Sequence, residues 1–198
     1  WNEHLSTYDG LKTTQKLDML SEKKGLPIDI HSDIWENKQQ LTLDKLRALK
    51  PNVDLIQTMN LLVSEGYKIA VCSNSIRKTC LTVLSKLGIM EFMDLIISNE
   101  DVKNGKPHPE MYWKAISMMS CLPEETLIIE DSPYGLLEAA RSKSHILRVK
   151  NTKETTYRNI DNKLKQIEMG EQQPTPAWRD ENLTCLLYTS PSPRDAIP

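Results

Sequence analysis

The sequence predicts an α/β fold, a parallel sheet with helices covering both faces, and three observations carry that prediction. Four short apolar runs, KIAVCS at 68–73, DLIIS at 94–98, TLIIED at 126–131 and HILRVK at 145–150, are continuous instead of alternating, as strands buried on both faces are. Helical spacing separates each run from the next, which is the pattern of parallel strands joined by crossover helices. The 198 residues are enough for one good-sized core, or a core with a small second lobe.

Taken in order, residues 11–24 put Leu17 and Leu20 at helical spacing and stop at Gly25. Residues 32–49 carry Ile34, Leu41, Leu46 and Leu49 among charges and stop before Pro51. Residues 1–50 therefore read as a helical block of thin amphipathic helices packing on one another. Residues 51–169 read as the α/β unit. An amphipathic helix with Val53, Ile56, Met59 and Val63 ends at Gly66, and the strand at 68–73 follows. Next come a helix at about 77–87 with Cys80, Leu84 and Leu87 on one side, the strand at 94–98, and the loop NEDVKNGKPHP. A helix starting near Pro109, the strand TLIIED, a helix across Leu136–Arg141 and a strand at 145–150 complete the run. The texture changes after residue 170: Pro174, Pro176, Pro191, Pro193 and Pro198 fall there, and TCLLYTSPSPRDAIP has no period that buries a face. Residues 170–198 are expected to be a disordered or non-native tail resembling run-on adaptor sequence, outside the fold.

Charge and composition exclude several function classes. A formal net charge of -2, with Lys and Arg spread along the chain, gives no footprint for nucleic acid or an anionic membrane. No apolar run approaches the roughly 20 residues that span a bilayer, and WNEHLSTYDG is unlike a signal peptide, so the expected address is cytoplasmic. Cys72, Cys80, Cys121 and Cys185 form no CxxC pair and read as small core residues or bystanders; the four histidines are too scattered for a zinc site. Nothing here bears on oligomeric state.

The chemistry is expected at the carboxyl ends of the strands, where loops converge and helix N-termini direct their N–H groups into a crevice. VCSNS ends in Ser73, Asn74 and Ser75, the loop after DLIIS holds Lys106, and TLIIED runs into Glu130, Asp131 and Ser132. Each has an ordinary alternative: Ser73 or Ser75 as a helix cap, Lys106 as an exposed loop lysine, Glu130 and Asp131 as an acidic pair favoured by a helix dipole. Together they form a kit for phosphoryl chemistry. Hydroxyl and backbone donors and a lysine hold phosphate oxygens, and paired carboxylates hold a hard divalent cation such as Mg²⁺, which relieves their mutual repulsion.

SNS at 73–75, GKPHPE at 105–110 and EDSPYG at 130–135 resemble the second, third and fourth motifs of haloacid-dehalogenase-superfamily phosphatases, nearest the β-phosphoglucomutase-like branch. Their order agrees, as do the spacings of 33 residues from Ser73 to Lys106 and 25 from Lys106 to Asp131. The resemblance covers about residues 1–165. It implies a Rossmann-like core with a helical cap lobe, and a Mg²⁺-dependent phosphatase acting on a small phosphorylated metabolite such as a sugar phosphate. Ser73 and the Asn74 backbone would hold the phosphate, Lys106 would neutralise it, and Glu130 and Asp131 would ligate Mg²⁺. Residues 1–50 would be part of the mobile cap, with Gly10, Lys12 and Thr13 of YDGLKTT facing the substrate.

One family motif is absent: an apolar strand ending in Asp-x-Asp, which supplies the aspartyl nucleophile and lies in the sheet between the strands ending at Ser73 and Asp131. No apolar strand leads into Asp9. The first core strand is therefore expected to be missing, the chain to be truncated at its amino end, marginally stable and inactive by itself, with the nucleophile upstream of Trp1. A phosphomutase, or a non-catalytic phosphate-binding regulatory module, are the alternatives. A nucleotide-cofactor domain is disfavoured because no GxGxxG follows a strand.

Overall fold

The computed structural model describes Tyr8, residues 11–170 and, as backbone, residues 185–188. Among these residues the chain forms seven α-helices and five strands. The strands are β1 (Lys68–Cys72), β2 (Leu95–Ile97), β3 (Thr126–Glu130), β4 (His145–Arg148) and β5 (Cys185–Tyr188). They make one sheet in the order β2-β1-β5-β3-β4, with every pairing parallel. The helices are α1 (Thr13–Lys24), α2 (His31–Leu46), α3 (Val53–Ser64), α4 (Arg77–Leu87), α5 (Glu110–Met118), α6 (Pro133–Ser142) and α7 (Tyr157–Glu168).

Strand periodicity sorts the apolar residues onto two faces. Ile69, Val71, Leu127 and Ile129 enter one core with Leu55, Met59 and Leu62 of α3, Val83, Leu84 and Leu87 of α4, and Ile160 and Leu164 of α7. Ala70, Cys72, Ile97 and Ile128 enter the other with Met111, Tyr112, Ala115 and Ile116 of α5 and Ala139 of α6. The three-layer α/β expectation therefore holds, and burying each large aliphatic side chain contributes about 1.5–3 kcal/mol. Caps fix the helix starts. Asn52 accepts from Leu55 N–H at 3.1 Å before α3, Ser132 accepts from Gly135 N–H at 3.2 Å before α6, and Thr156 accepts from Asn159 N–H at 3.3 Å before α7. Gly25 and Gly88 close α1 and α4 in the left-handed conformation.

Four readings of the sequence are corrected. The tail expectation fails at Cys185–Tyr188, whose backbone pairs with both β1 and β3 (Ala70↔Leu187 and Ile128↔Leu187) in the middle of the sheet. A four-residue apolar run flanked by polar residues and proline is too short to show a period, so pairing decides it, not pattern. Helix α7 also went unread, although Tyr157, Ile160, Leu164 and Ile167 follow helical spacing behind a threonine cap. The block at 31–49 does not rest on helix pairing alone, because Leu46 and Leu49 enter the core beside β1 and α4. Cys72 and Cys80 are buried free thiols as expected, whereas Cys121 is disulfide-bonded. None of the described helices is long and apolar enough to cross a membrane.

Candidate active site

Because all strands run in parallel, the segments after β1, β2 and β3 leave the sheet at the same edge. Ser73 follows β1 directly; its N–H reaches the Ile97 carbonyl at 2.9 Å, and its hydroxyl accepts from Ser75 N–H at 3.2 Å. This local bond is the turn-forming role that serine favours, and it leaves the hydroxyl proton directed elsewhere. Asn74 is tied to the next loop, since Asn99 Nδ2 donates to its carbonyl at 3.0 Å. A Cβ at Gly105 would stand 3.1 Å from Asn74 Oδ1 and 2.5 Å from Lys12 Cε, so the bare glycine backbone lets both side chains close over the loop.

From that loop Lys106 turns inward. Its Nζ donates to Glu130 Oε2 at 2.6 Å, with the two side chains 6% and 1% exposed. Tyr112 of α5 donates its hydroxyl to the same oxygen at 2.8 Å, from the core it shares with Ala70 and Cys72. Glu130 Oε1 accepts from the N–H groups of Asp131 and Ser132 at 3.1 and 2.9 Å and from Ser132 Oγ at 2.8 Å. Gly135 makes room for this carboxylate: a Cβ there would lie 2.1 Å from Glu130 Cδ.

The electrostatics follow from that packing. Burial opposes ionisation of Glu130, but the Lys106 ammonium and the Ser132 donors outweigh it and bring the carboxyl down to about 2. Burial likewise works against the Lys106 charge, and Glu130 and Glu138 overcome it, holding the amine above its usual value. Glu138 of α6 is wholly buried and lies 3.9 Å from Lys106 Nζ; burial pushes its carboxyl up to about 8. Burial also raises the Tyr112 hydroxyl and the Cys72 thiol.

The expected site residues thus separate into groups. Asn74 meets the loop that carries Lys106, Ser73 beside it bonds the last residue of β2, and Lys106 meets Glu130. Glu130, expected beside Asp131 on a cation, is instead turned into the core, where lysine, tyrosine and backbone donors fill its oxygens. Asp131 follows it at the strand end, partly exposed. Among the described residues no three His, Cys, Asp or Glu side chains gather to hold a metal, so these residues alone do not fit a closed magnesium site. Lys12 reaches the core loop, its Nζ donating to the Asn99 and Val102 carbonyls at 3.2 and 3.4 Å. Thr13 opens α1, half-buried, and Gly10 lies outside the described residues. Sequence reasoning missed Tyr112, Asn99 and Glu138. Glu138 left a signal, an acid on the stripe of Gly135, Ala139 and Ser142 that α6 buries.

A family model described as haloacid dehalogenase-like hydrolase matches residues 1–149. A phosphorylated carbohydrates phosphatase of Thermotoga maritima is 29% identical over 130 residues, 61% of this chain and 60% of that protein. A pyrophosphatase of Halalkalibacterium halodurans is 34% identical over 94 residues, 48% of this chain and 43% of that protein. The chain spans about half the length of the curated relatives it matches. A crystal structure of β-phosphoglucomutase from Clostridium difficile aligns with a TM-score of 0.67 at 21% identity, covering 80% of this chain and 79% of that one. A hydrolase from Pseudomonas syringae aligns with a TM-score of 0.64 at 21% identity, covering 74% and 67%. At such identities the two structures speak for the fold alone.

Proposed function

The chain belongs to the haloacid dehalogenase-like hydrolases, and from that premise we propose that it is part of a phosphatase acting on a small phosphorylated metabolite, with a phosphorylated carbohydrate or pyrophosphate as the leading substrate class. The observation that carries the reading is Lys106, held by Glu130 and next in the chain to Gly105, which closes on Asn74. A buried ammonium held at 2.6 Å by one carboxylate still has two N–H bonds to offer a phosphoryl oxygen. The Ser73 hydroxyl, which accepts from Ser75 N–H and bonds the Cys80 side chain, would turn its proton to a second oxygen, and the backbone around Asn74 supplies further donors. The match to phosphatases acting on phosphorylated carbohydrates and on pyrophosphate supports the substrate class.

Magnesium belongs to the same proposal, with Asp131 as the ligand this chain offers; when bound, the ion would neutralise phosphoryl charge. Glu130 contributes by orienting Lys106. The aspartyl nucleophile of the proposed covalent route is assigned to a carboxylate outside the described residues. A cytoplasmic address and a freely diffusing substrate complete the reading.

The test is phosphate release from a panel of sugar phosphates and pyrophosphate, with and without Mg²⁺, by the protein of the complete coding sequence beside its Lys106→Ala and Asp131→Ala variants. Turnover that falls at least about a hundredfold in each variant supports the assignment. Equal rates in variants and parent, or no release from any substrate, sink it.

A further inference from the structure

Lys106 has a second acidic neighbour that the phosphoryl chemistry does not use. The Glu138 carboxylate approaches its Nζ to 3.9 Å from α6, while Glu130 holds the amine at 2.6 Å from β3. Glu138 is 0% exposed, and neither of its oxygens has a hydrogen-bond partner. One cation therefore stands between two carboxylates in a largely buried space. A buried acid without donors is expensive, and on the stripe of Gly135, Ala139 and Ser142 an apolar side chain would avoid that expense.

We propose that Glu138 is a positioning residue for anion capture: neutral, it leaves the Lys106 amine to a phosphoryl oxygen, and ionised, it draws that amine back into the core. The inference rests on the assignment of Lys106 to the phosphoryl group made above.

The groups that feel the Glu138 charge are Lys106 from the loop, Glu130 from β3, the Cys72 thiol from β1 and the Tyr112 hydroxyl from α5. On β4, which also packs on α6, His145 bonds the Glu124 carbonyl at 3.0 Å and Arg148 is exposed. Burial is the strongest influence on Glu138; Lys106 partly offsets it and Glu130 adds to it, placing the carboxyl at about 8. Glu138 thus carries its proton at neutral pH and releases it to solvent in mild alkali. Two anionic carboxylates then compete with the ligand for one ammonium.

Sulfate tests this, because it is a tetrahedral dianion whose charge is constant across the range. Its affinity for the chain is measured calorimetrically from about pH 6 to about pH 9, beside Glu138→Gln and Lys106→Ala. If only the form with neutral Glu138 captures the anion, binding weakens about tenfold between pH 7 and pH 9, following the neutral fraction. Glu138→Gln removes that fall, and Lys106→Ala abolishes binding. The same alkaline fall in Glu138→Gln overturns the inference and leaves the phosphatase reading standing. Sulfate binding that is absent, or indifferent to Lys106→Ala, overturns that reading and the inference together.

A second readout needs no ligand. The folded carboxyl titrates above its ordinary value of 4.5, so the folded chain binds more protons between 4.5 and about 8, and stability falls as pH rises through that window. Glu138→Gln removes this slope, and an unchanged slope overturns the inference. Should the variant fail to fold, carbon-13 NMR of the Glu138 carboxyl in the parent chain decides: titration near the ordinary carboxyl value overturns it.

Discussion

The Lys106 ammonium and the Glu130 carboxylate meet at 2.6 Å inside the protein, with 6% and 1% of their side chains exposed. Charges so far from water persist only when matched, and removing one partner leaves the other stranded. Lys106→Met strands the ionised Glu130, while Glu138 keeps its proton at neutral pH, and the expected loss is about 3–5 kcal/mol in urea unfolding. Adding Glu130→Gln to that variant recovers part of the loss, because one uncompensated charge disappears. A Lys106→Met chain within about 0.5 kcal/mol of the parent would show that the pair does not persist in solution.

Gly135 sits on α6 where any side chain would occupy the Glu130 carboxylate, its Cβ falling 2.1 Å from Glu130 Cδ. Helix propensity alone favours Gly135→Ala by about 1 kcal/mol. Steric overlap should reverse that sign, since Glu130 is pinned by Lys106, Tyr112 and the Ser132 donors and cannot move aside cheaply. The expected outcome is destabilisation of about 1–3 kcal/mol with a shifted Tyr112 environment, read by thermal unfolding and tyrosine NMR. A stabilised variant would mean that the carboxylate does not occupy this space.

How much of this was legible in the sequence depends on whether local pattern or distant pairing decided it. β1 and β3 were readable because KIAVC and TLIIE are continuous apolar runs, and α4 because Leu84 and Leu87 repeat at helical spacing before Gly88. Ser73, Lys106 and Glu130 were readable as residues because polar groups follow apolar strands, yet their partners were not. Gly135 apart, nothing local in EDSPYG says that Glu130 turns inward while Asp131 stays partly exposed; that choice depends on Lys106, 24 residues away, and on Tyr112, 18 away. The inward turn also needs the missing Cβ of Gly135. Strand β5 was illegible for a similar reason, because four apolar residues become a strand only when two others flank them.

Acid sensitivity follows from Glu130 with a definite sign. Its carboxyl titrates at about 2 in the fold against an ordinary 4.5, so the unfolded chain binds the extra proton in that window. The stabilisation is complete above the ordinary value and is lost as pH falls towards 2. Glu130→Gln should therefore be less stable than the parent at neutral pH and lose less on acidification, so that the two curves converge. Asp101 acts in the same direction: burial opposes its charge, but bonds from the Ser98 hydroxyl and N–H and from Arg77 bring it to about 2. Parallel stability curves for parent and Glu130→Gln between neutral pH and about pH 3 would remove the Lys106–Glu130 assignment.

The central place of β5 is open to a direct test on backbone hydrogen bonds. Its residues pair with Ile69, Ala70 and Val71 on one side and with Leu127, Ile128 and Ile129 on the other. Losing it would leave inner edges of β1 and β3 without partners in the middle of the sheet, at about 1 kcal/mol for each bond lost and more where water cannot enter. Leu187→Pro removes one N–H from this ladder and introduces a ring that a central strand does not accommodate. Both that variant and a chain ending at Gly170 should lose amide-exchange protection at Ile69–Val71 and Leu127–Ile129 while α7, packed on β4 and α3, loses less. Protection of β1 and β3 that is identical with and without residues 185–188 would mean that another segment, or none, fills the space between them.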